Sequence, residues 1–393
     1  MKIYRSFVLL LVISTNIYAY KISLTKTSNN GWVLLDESNT PFVVQGICYA
    51  PTPIGETEWN YNFFDDENAP WFTDGDYMER MGVNTVRIYK TGKDSEVARR
   101  FIRQMYKIYS IYTIFPVPLN MNGADFASKK WKNLTKKKIL NTVKLYKDTP
   151  GILVWLIGNE VDYFFYDDKA FWETPEMKNI TAPYKRAKIR AKIVFKFINE
   201  IAKEIKKIDH HNHPVGISLG KTEFFNLLKD KKIIPDVDFL GLNYYQARTF
   251  SSVWGLTKKT GKPILITEFG YDAYNTKKAL EDELMQSKFI LSLWKDIASH
   301  SYKGKKRQLC LGGSIFEFSD EWWKYDYGEP EKHDTEGSWA NAAWPDFTPD
   351  KPNNVQEEWF GIFKLEKRTN NIDKRIPRDI YYKLRDIWNS ESE

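Results

Sequence analysis

Eight short runs of β-branched and aromatic residues, separated by longer stretches, limit what this chain can fold into. The runs are residues 42–49, 85–89, 113–119, 152–157, 215–219, 239–243, 264–267 and 311–318. They lack apolar/polar alternation, so they read as strands buried on both faces, as in a parallel sheet covered by helices. The stretches between them are amphipathic. In residues 184–208, Val194, Phe197, Ile198, Ile201, Ile205 and Ile208 recur at three- and four-residue steps, with lysines on the other face. Residues 281–301 and 377–388 behave similarly. Eight alternations predict an α/β fold closed as a (β/α)8 TIM barrel rather than an open doubly wound sheet. No glycine-rich phosphate loop follows the first strand, which removes the main rival. An N-terminal β-hairpin precedes the barrel: Gly31-Trp-Val-Leu-Leu, a turn at Asp36-Glu-Ser-Asn39, and the return along 42–49. A long loop, about 321–358, follows the eighth strand and carries Trp322, Trp323, Trp339 and Trp344 without periodicity. Structureless segments of that length are uncommon unless functional.

The start of the chain reads as an export signal. Lys2 and Arg5 precede an apolar run over 7–17, and Ile17-Tyr18-Ala19 offers a small residue for cleavage. Residues 1–19 are therefore expected to be a signal peptide, and 20–393 one barrel domain. The apolar run is too short to span a bilayer, and the Ser-Glu-Ser-Glu end is polar. A secreted or periplasmic protein, not inserted in a membrane after cleavage, is expected. The net charge of +7 is spread over helix faces, with clusters at 129–138 and 303–307, and no nucleic-acid module accompanies it. Nucleic acid is not an expected partner. Cys48 falls late in the first strand and Cys310 early in the last, so two buried free thiols are expected. His210, His211 and His213 lie between a helix and the fifth strand, on the face opposite the barrel's strand ends, so no metal site is expected there. Asn133-Leu-Thr135 and Asn179-Ile-Thr181 fit glycan acceptors.

Two strand ends carry the chemistry. Leu153-Val-Trp-Leu-Ile-Gly-Asn-Glu160 closes the fourth strand and Ile264-Leu-Ile-Thr-Glu268 the seventh, which face each other across a barrel mouth. Retaining cleavage of a glycosidic bond needs two carboxyls flanking the anomeric carbon, ~5–5.5 Å apart. Glu268 is the expected nucleophile and Glu160 the expected acid/base, with no metal or cofactor required. Arg87, ending the second strand, and Tyr245, after the sixth, are placed to support Glu268. Asn159 is placed to bond a sugar 2-hydroxyl. Either glutamate alone reads as a helix cap; four such residues at matching strand ends do not.

On these motifs the chain resembles the clan A glycoside hydrolases, whose acid/base follows Asn on strand four and whose nucleophile ends strand seven. Within the clan it is most similar to family 72, the β-1,3-glucanosyltransferases. The resemblance rests on Met81-Gly-Val-Asn-Thr-Val-Arg-Ile-Tyr89, Gly158-Asn-Glu-Val161, Gly241-Leu-Asn-Tyr-Tyr245, Thr267-Glu-Phe-Gly270 and Gly312-Gly-Ser-Ile-Phe-Glu-Phe-Ser319. Ser319-Asp-Glu-Trp-Trp-Lys324 and Glu357-Glu-Trp-Phe-Gly361 look more like bacterial clan A relatives. The implied reaction is hydrolysis of a β-linked glucan-type poly- or oligosaccharide, or transfer of its glycosyl group to another sugar. A barrel that only binds carbohydrate is the alternative from another class. Further expected substrate contacts are Tyr49 at the end of strand one, Glu317 on strand eight, and Trp322 and Trp323 as a stacking platform.

Overall fold

The computed structural model describes residues 20–92, 94–324, 329–369 and 371–390. The expected export signal lies outside them. Eight parallel strands close into a barrel in chain order: Val44–Cys48, Thr85–Arg87, Tyr112–Val117, Ile152–Ile157, Val215–Leu219, Phe239–Asn243, Ile264–Phe269 and Cys310–Ile315. The last strand pairs with the first, with Ile315 opposite Ile47. Each strand is a run the sequence marks, shifted by a few residues at most. Buried on both faces, they match the unbroken apolar character that predicts them.

The helix Pro183–Ile208 buries Val194, Phe197, Ile198, Ile201 and Ile205 against the barrel. Glu283–His300 and Asp379–Ser390 fill the other expected helical stretches. The N-terminal hairpin is one strand larger than expected: Ser23–Lys26 pairs antiparallel with Trp32–Leu35, which pairs with the short Pro41–Phe42. Val44 opens a separate strand, in the barrel. This small sheet plugs the barrel's lower end, where Ile22 and Leu34 join Val44, Ile114, Leu153, Leu265 and Leu311 in one apolar cluster. A sealed bottom leaves the C-terminal strand ends as the open face.

Cys48 and Cys310 are buried free thiols. The register puts Cys310 about six residues below Cys48 along neighbouring strands, roughly 20 Å at ~3.3 Å per residue. His213 Nδ1 pairs with Asp209 Oδ1 at 3.0 Å, two residues before the fifth strand begins. No group of three or more His, Cys, Asp or Glu among the described residues is placed to hold a metal ion. Among them, no helix is long and apolar enough to cross a membrane.

Candidate active site

The seventh strand runs through Glu268 to Phe269, with its register slipping on both sides after Ile266. Beneath the glutamate lies Arg87, almost fully buried. Its Nη1 donates to Glu268 Oε1 (2.8 Å), Asn243 Oδ1 (2.9 Å) and the Thr267 carbonyl (2.9 Å), and Nη2 donates to Asn159 Oδ1 (2.7 Å). Tyr89 donates to Glu268 Oε1 and Tyr245 to Oε2, both at 2.7 Å. One guanidinium and two phenols thus converge on one carboxylate, and such charge-assisted bonds fix its orientation. Burial, followed by the charge of Glu268, pushes the Tyr245 phenol well above its ordinary range, so it remains a donor.

Glu160 follows the fourth strand in a tight left-handed turn. Gly158 has φ +68° and Glu160 itself φ +47°, ψ +42°. A Cβ at position 158 would meet Val161 Cγ1 at 2.5 Å, so only glycine fits there. A left-handed non-glycine residue costs roughly 1–2 kcal/mol, a strain that clusters at functional sites. The Glu160 carboxyl is pushed up to about 8, first by burial and then by the charge of Glu268, against an Asn243 hydrogen bond and Arg87. It therefore keeps its proton at neutral pH. Asn159 is exposed and faces the same space; its Oδ1 also accepts from Asn243 Nδ2 at 3.0 Å.

Both glutamates line one cavity of about 930 Å³ at the open face, with Asn159, Tyr89 and Tyr245. Its wall comes from the end of strand eight and the long loop: Phe316, Glu321, Trp323, Lys324, Trp339 and Glu357. The Phe316 ring stands edge-on to Tyr245 at 6.2 Å, with Lys324 Nζ 4.3 Å from its centre. The loop is anchored behind the seventh strand. Trp344 stacks on Tyr271 at 4.0 Å, Asp346 accepts from Asn354 Nδ2 at 2.9 Å, and Asn341 Nδ2 donates to the Tyr245 carbonyl at 3.1 Å.

Of the four further expected substrate contacts, Tyr49, Glu317, Trp322 and Trp323, only Trp323 reaches the cavity. Tyr49 is fully buried, its hydroxyl donating to Asp74 Oδ2 at 2.9 Å and its ring packed on Phe63, Phe101 and Phe318. The alternation of a strand is the reason: Cys48 Sγ points into the barrel, 3.6 Å from the Thr267 carbonyl two strands away, so the next side chain points out to the helices. Glu317 is also buried, outside the cavity lining, beside Glu321 and Lys324; burial, then Glu321, pushes its carboxyl well up. Trp322 turns away to stack on His333 (4.7 Å), which stacks on Trp359 (3.8 Å). Phe316 and Trp339 line the cavity with Trp323, alongside Tyr163, Tyr244 and Phe360.

Tyr89 and Asn243 belong to the site but are not among the residues expected from the sequence. Both had a signal: Tyr89 sits two residues beyond Arg87, on the same face of an extended segment, and Asn243 ends a strand at the height of Glu268.

The family model for glycoside hydrolase family 72, described as a glucanosyltransferase, matches residues 19–338. No curated protein sequence matches. Among solved structures, a Saccharomyces cerevisiae Gas2p variant in complex with laminaritetraose and laminaripentaose aligns with a TM-score of 0.57 and 15% identity, over 95% of this chain and 68% of that one. A GH2 β-galacturonidase from Eisenbergiella tayi aligns at 0.54 and 15%, over 94% of this chain and 54% of that one. A Bacteroides uniformis β-glucuronidase aligns at 0.57 and 14%, over 93% and 37%. The chain thus spans about half, or less, of the bacterial enzymes it matches, and at these identities the likeness is one of fold. With the family model covering most of its length and a glutamate pair at the fourth and seventh strand ends, the chain belongs to glycoside hydrolase family 72, the glucanosyltransferases.

Proposed function

We propose that residues 20–393 form an exported, retaining glycosidase or transglycosidase acting on β-1,3-linked glucan by double displacement. Glu268 attacks the anomeric carbon while Glu160 gives its proton to the departing oxygen, leaving a glycosyl ester on Glu268. Glu160, now a carboxylate, takes a proton from water or from an acceptor sugar's hydroxyl as that oxygen displaces Glu268. The observation that carries this reading is the contrast between two carboxyls on one cavity. Glu268 accepts from Arg87 and two tyrosines, whereas the Glu160 carboxyl is pushed up by burial and by its partner. Pairs of titratable groups with environments this different divide acid from nucleophile. The laminari-oligosaccharides held by the Gas2p variant motivate the linkage. Transfer is favoured over hydrolysis by the family match.

Incubation with laminari-oligosaccharides followed by mass spectrometry tests both parts. Products longer than the substrate are expected; only shorter ones would leave a hydrolase. No turnover of any β-glucan, with binding retained by Glu268→Gln, would leave a carbohydrate-binding barrel.

A further inference from the structure

Asp162 is a fully buried carboxylate that the double displacement leaves without a role. It lies two residues beyond Glu160, at the start of the 3-10 helix Val161–Phe165. Its Oδ1 accepts from the Gly220 amide and its Oδ2 from the Lys221 amide, both at 2.8 Å. Those amides follow the fifth strand, Val215–Leu219, so one side chain fastens the Glu160 turn to the next strand's exit. The fastened backbone lies against the carboxyl itself. A Cβ built on Gly220 would fall 2.1 Å from the Tyr163 ring and 3.1 Å from Glu160 Oε1, so the clamp holds Gly220 in contact with both. Lys221 Nζ closes the arrangement over the Tyr163 ring, 4.5 Å from its centre.

We propose that Asp162 is a positioning residue for the proton donor Glu160, clamping its turn against Gly220 and placing a second carboxylate beside it. The proposal rests on the reading of Glu160 as the acid. The charged and titratable groups facing that carboxyl are Glu268 from strand seven, Arg87 from strand two, Tyr245 after strand six, and Tyr163 and Asp162 on its own turn. Glu268 and Asp162 both raise the Glu160 carboxyl, and Arg87 opposes them. Asp162 itself is pushed up to about 6 by burial, against the amide donors, so it is charged at neutral pH. Asparagine in its place keeps one acceptor, turns its carboxamide NH2, a donor, toward the second backbone amide, and removes the charge.

The test compares two leaving groups. A 2,4-dinitrophenyl β-laminaribioside needs no proton to depart, whereas an unmodified laminari-oligosaccharide does. Asp162→Asn is expected to lower kcat/KM on the oligosaccharide at least ~10-fold, a part of the ~10²–10⁴ a general acid supplies. On the dinitrophenyl substrate the change should stay within about two-fold. The alkaline limb of the oligosaccharide profile should move to lower pH, because losing a neighbouring negative charge eases Glu160 ionisation. Gly220→Ala, which displaces the same contact without changing charge, should show the same selective loss; it decides the matter alone if Asp162→Asn does not fold. Equal losses on both substrates with an unmoved limb would overturn the proposal. Glu160→Ala is the reference: if it too shows no leaving-group dependence, the acid assignment falls rather than the clamp.

Discussion

At the residue scale, Arg87 organises the site by joining Glu268, Asn243 and Asn159. Replacing it by methionine should cost ~10²–10³ in kcat, the effect of removing one preorganised donor, measured by single-turnover kinetics. A loss under ten-fold would contradict its role. Glu160 carries a stability prediction as well. Its carboxyl is raised to about 8 from the ordinary 4.5, so the folded state holds that proton more tightly than the unfolded one. Its contribution is therefore fully present below pH 4.5 and is lost as pH rises through about 8. Glu160→Gln should melt higher than wild type at pH 8 and no higher at pH 4, by calorimetry, while turnover of unactivated substrate falls ~10²–10⁴-fold. Much of this geometry was legible beforehand, because two carboxyls, a guanidinium and a phenol at matching C-terminal strand ends exceed what helix capping requires. Tyr49 was not, since its side depends on strand parity, and a boundary error of one residue reverses it.

Elements were legible where their period was strong and illegible where it was absent. The helix Pro183–Ile208 follows from its apolar steps almost to the residue. The loop after strand eight has no period, and its fold depends on buried polar partners far off in the sequence. Asp346 meets Tyr271, Thr276 and Asn354, while Gln356 N donates to Asp272 Oδ2 at 2.6 Å. Such pairings cannot be read from spacing, so which tryptophan faces the cavity stayed hidden: Trp322 stacks on His333 while Trp339 lines the cavity beside Tyr245. Trp339→Ala should raise KM for laminari-oligosaccharides about ten-fold, ~1.4 kcal/mol of binding, with little change in melting temperature. Trp322→Ala should lower the melting temperature and leave KM near wild type. Steady-state kinetics with calorimetry checks both, and reversed effects would mean the loop is packed differently.

The whole molecule holds the two glutamates, 108 positions apart in the chain, by closing the sheet on itself, and the ends of the chain secure that closure. The N-terminal sheet plugs the bottom, and the C-terminal hairpin of Phe363–Glu366 and Lys374–Pro377 returns Arg375 to Asp74 on the helix Trp71–Met81. Arg375→Met leaves Asp74 buried beside Tyr49 without its partner and should cost ~3–5 kcal/mol in denaturant unfolding; a change below about 1 kcal/mol would show the pair to be dispensable. The barrel was predictable from eight runs, but the extra N-terminal strand was not, because Ser23–Lys26 is polar and partly exposed. The proposed double displacement requires that Glu268 become covalently glycosylated over the cavity it shares with Glu160. An activated 2-deoxy-2-fluoro β-glucoside or laminaribioside, followed by proteolysis and peptide mass spectrometry, tests it most directly. A single fluoroglycosyl adduct is expected on the peptide containing Glu268, absent in Glu268→Gln. Turnover with no adduct, or an adduct on any other residue, would contradict it.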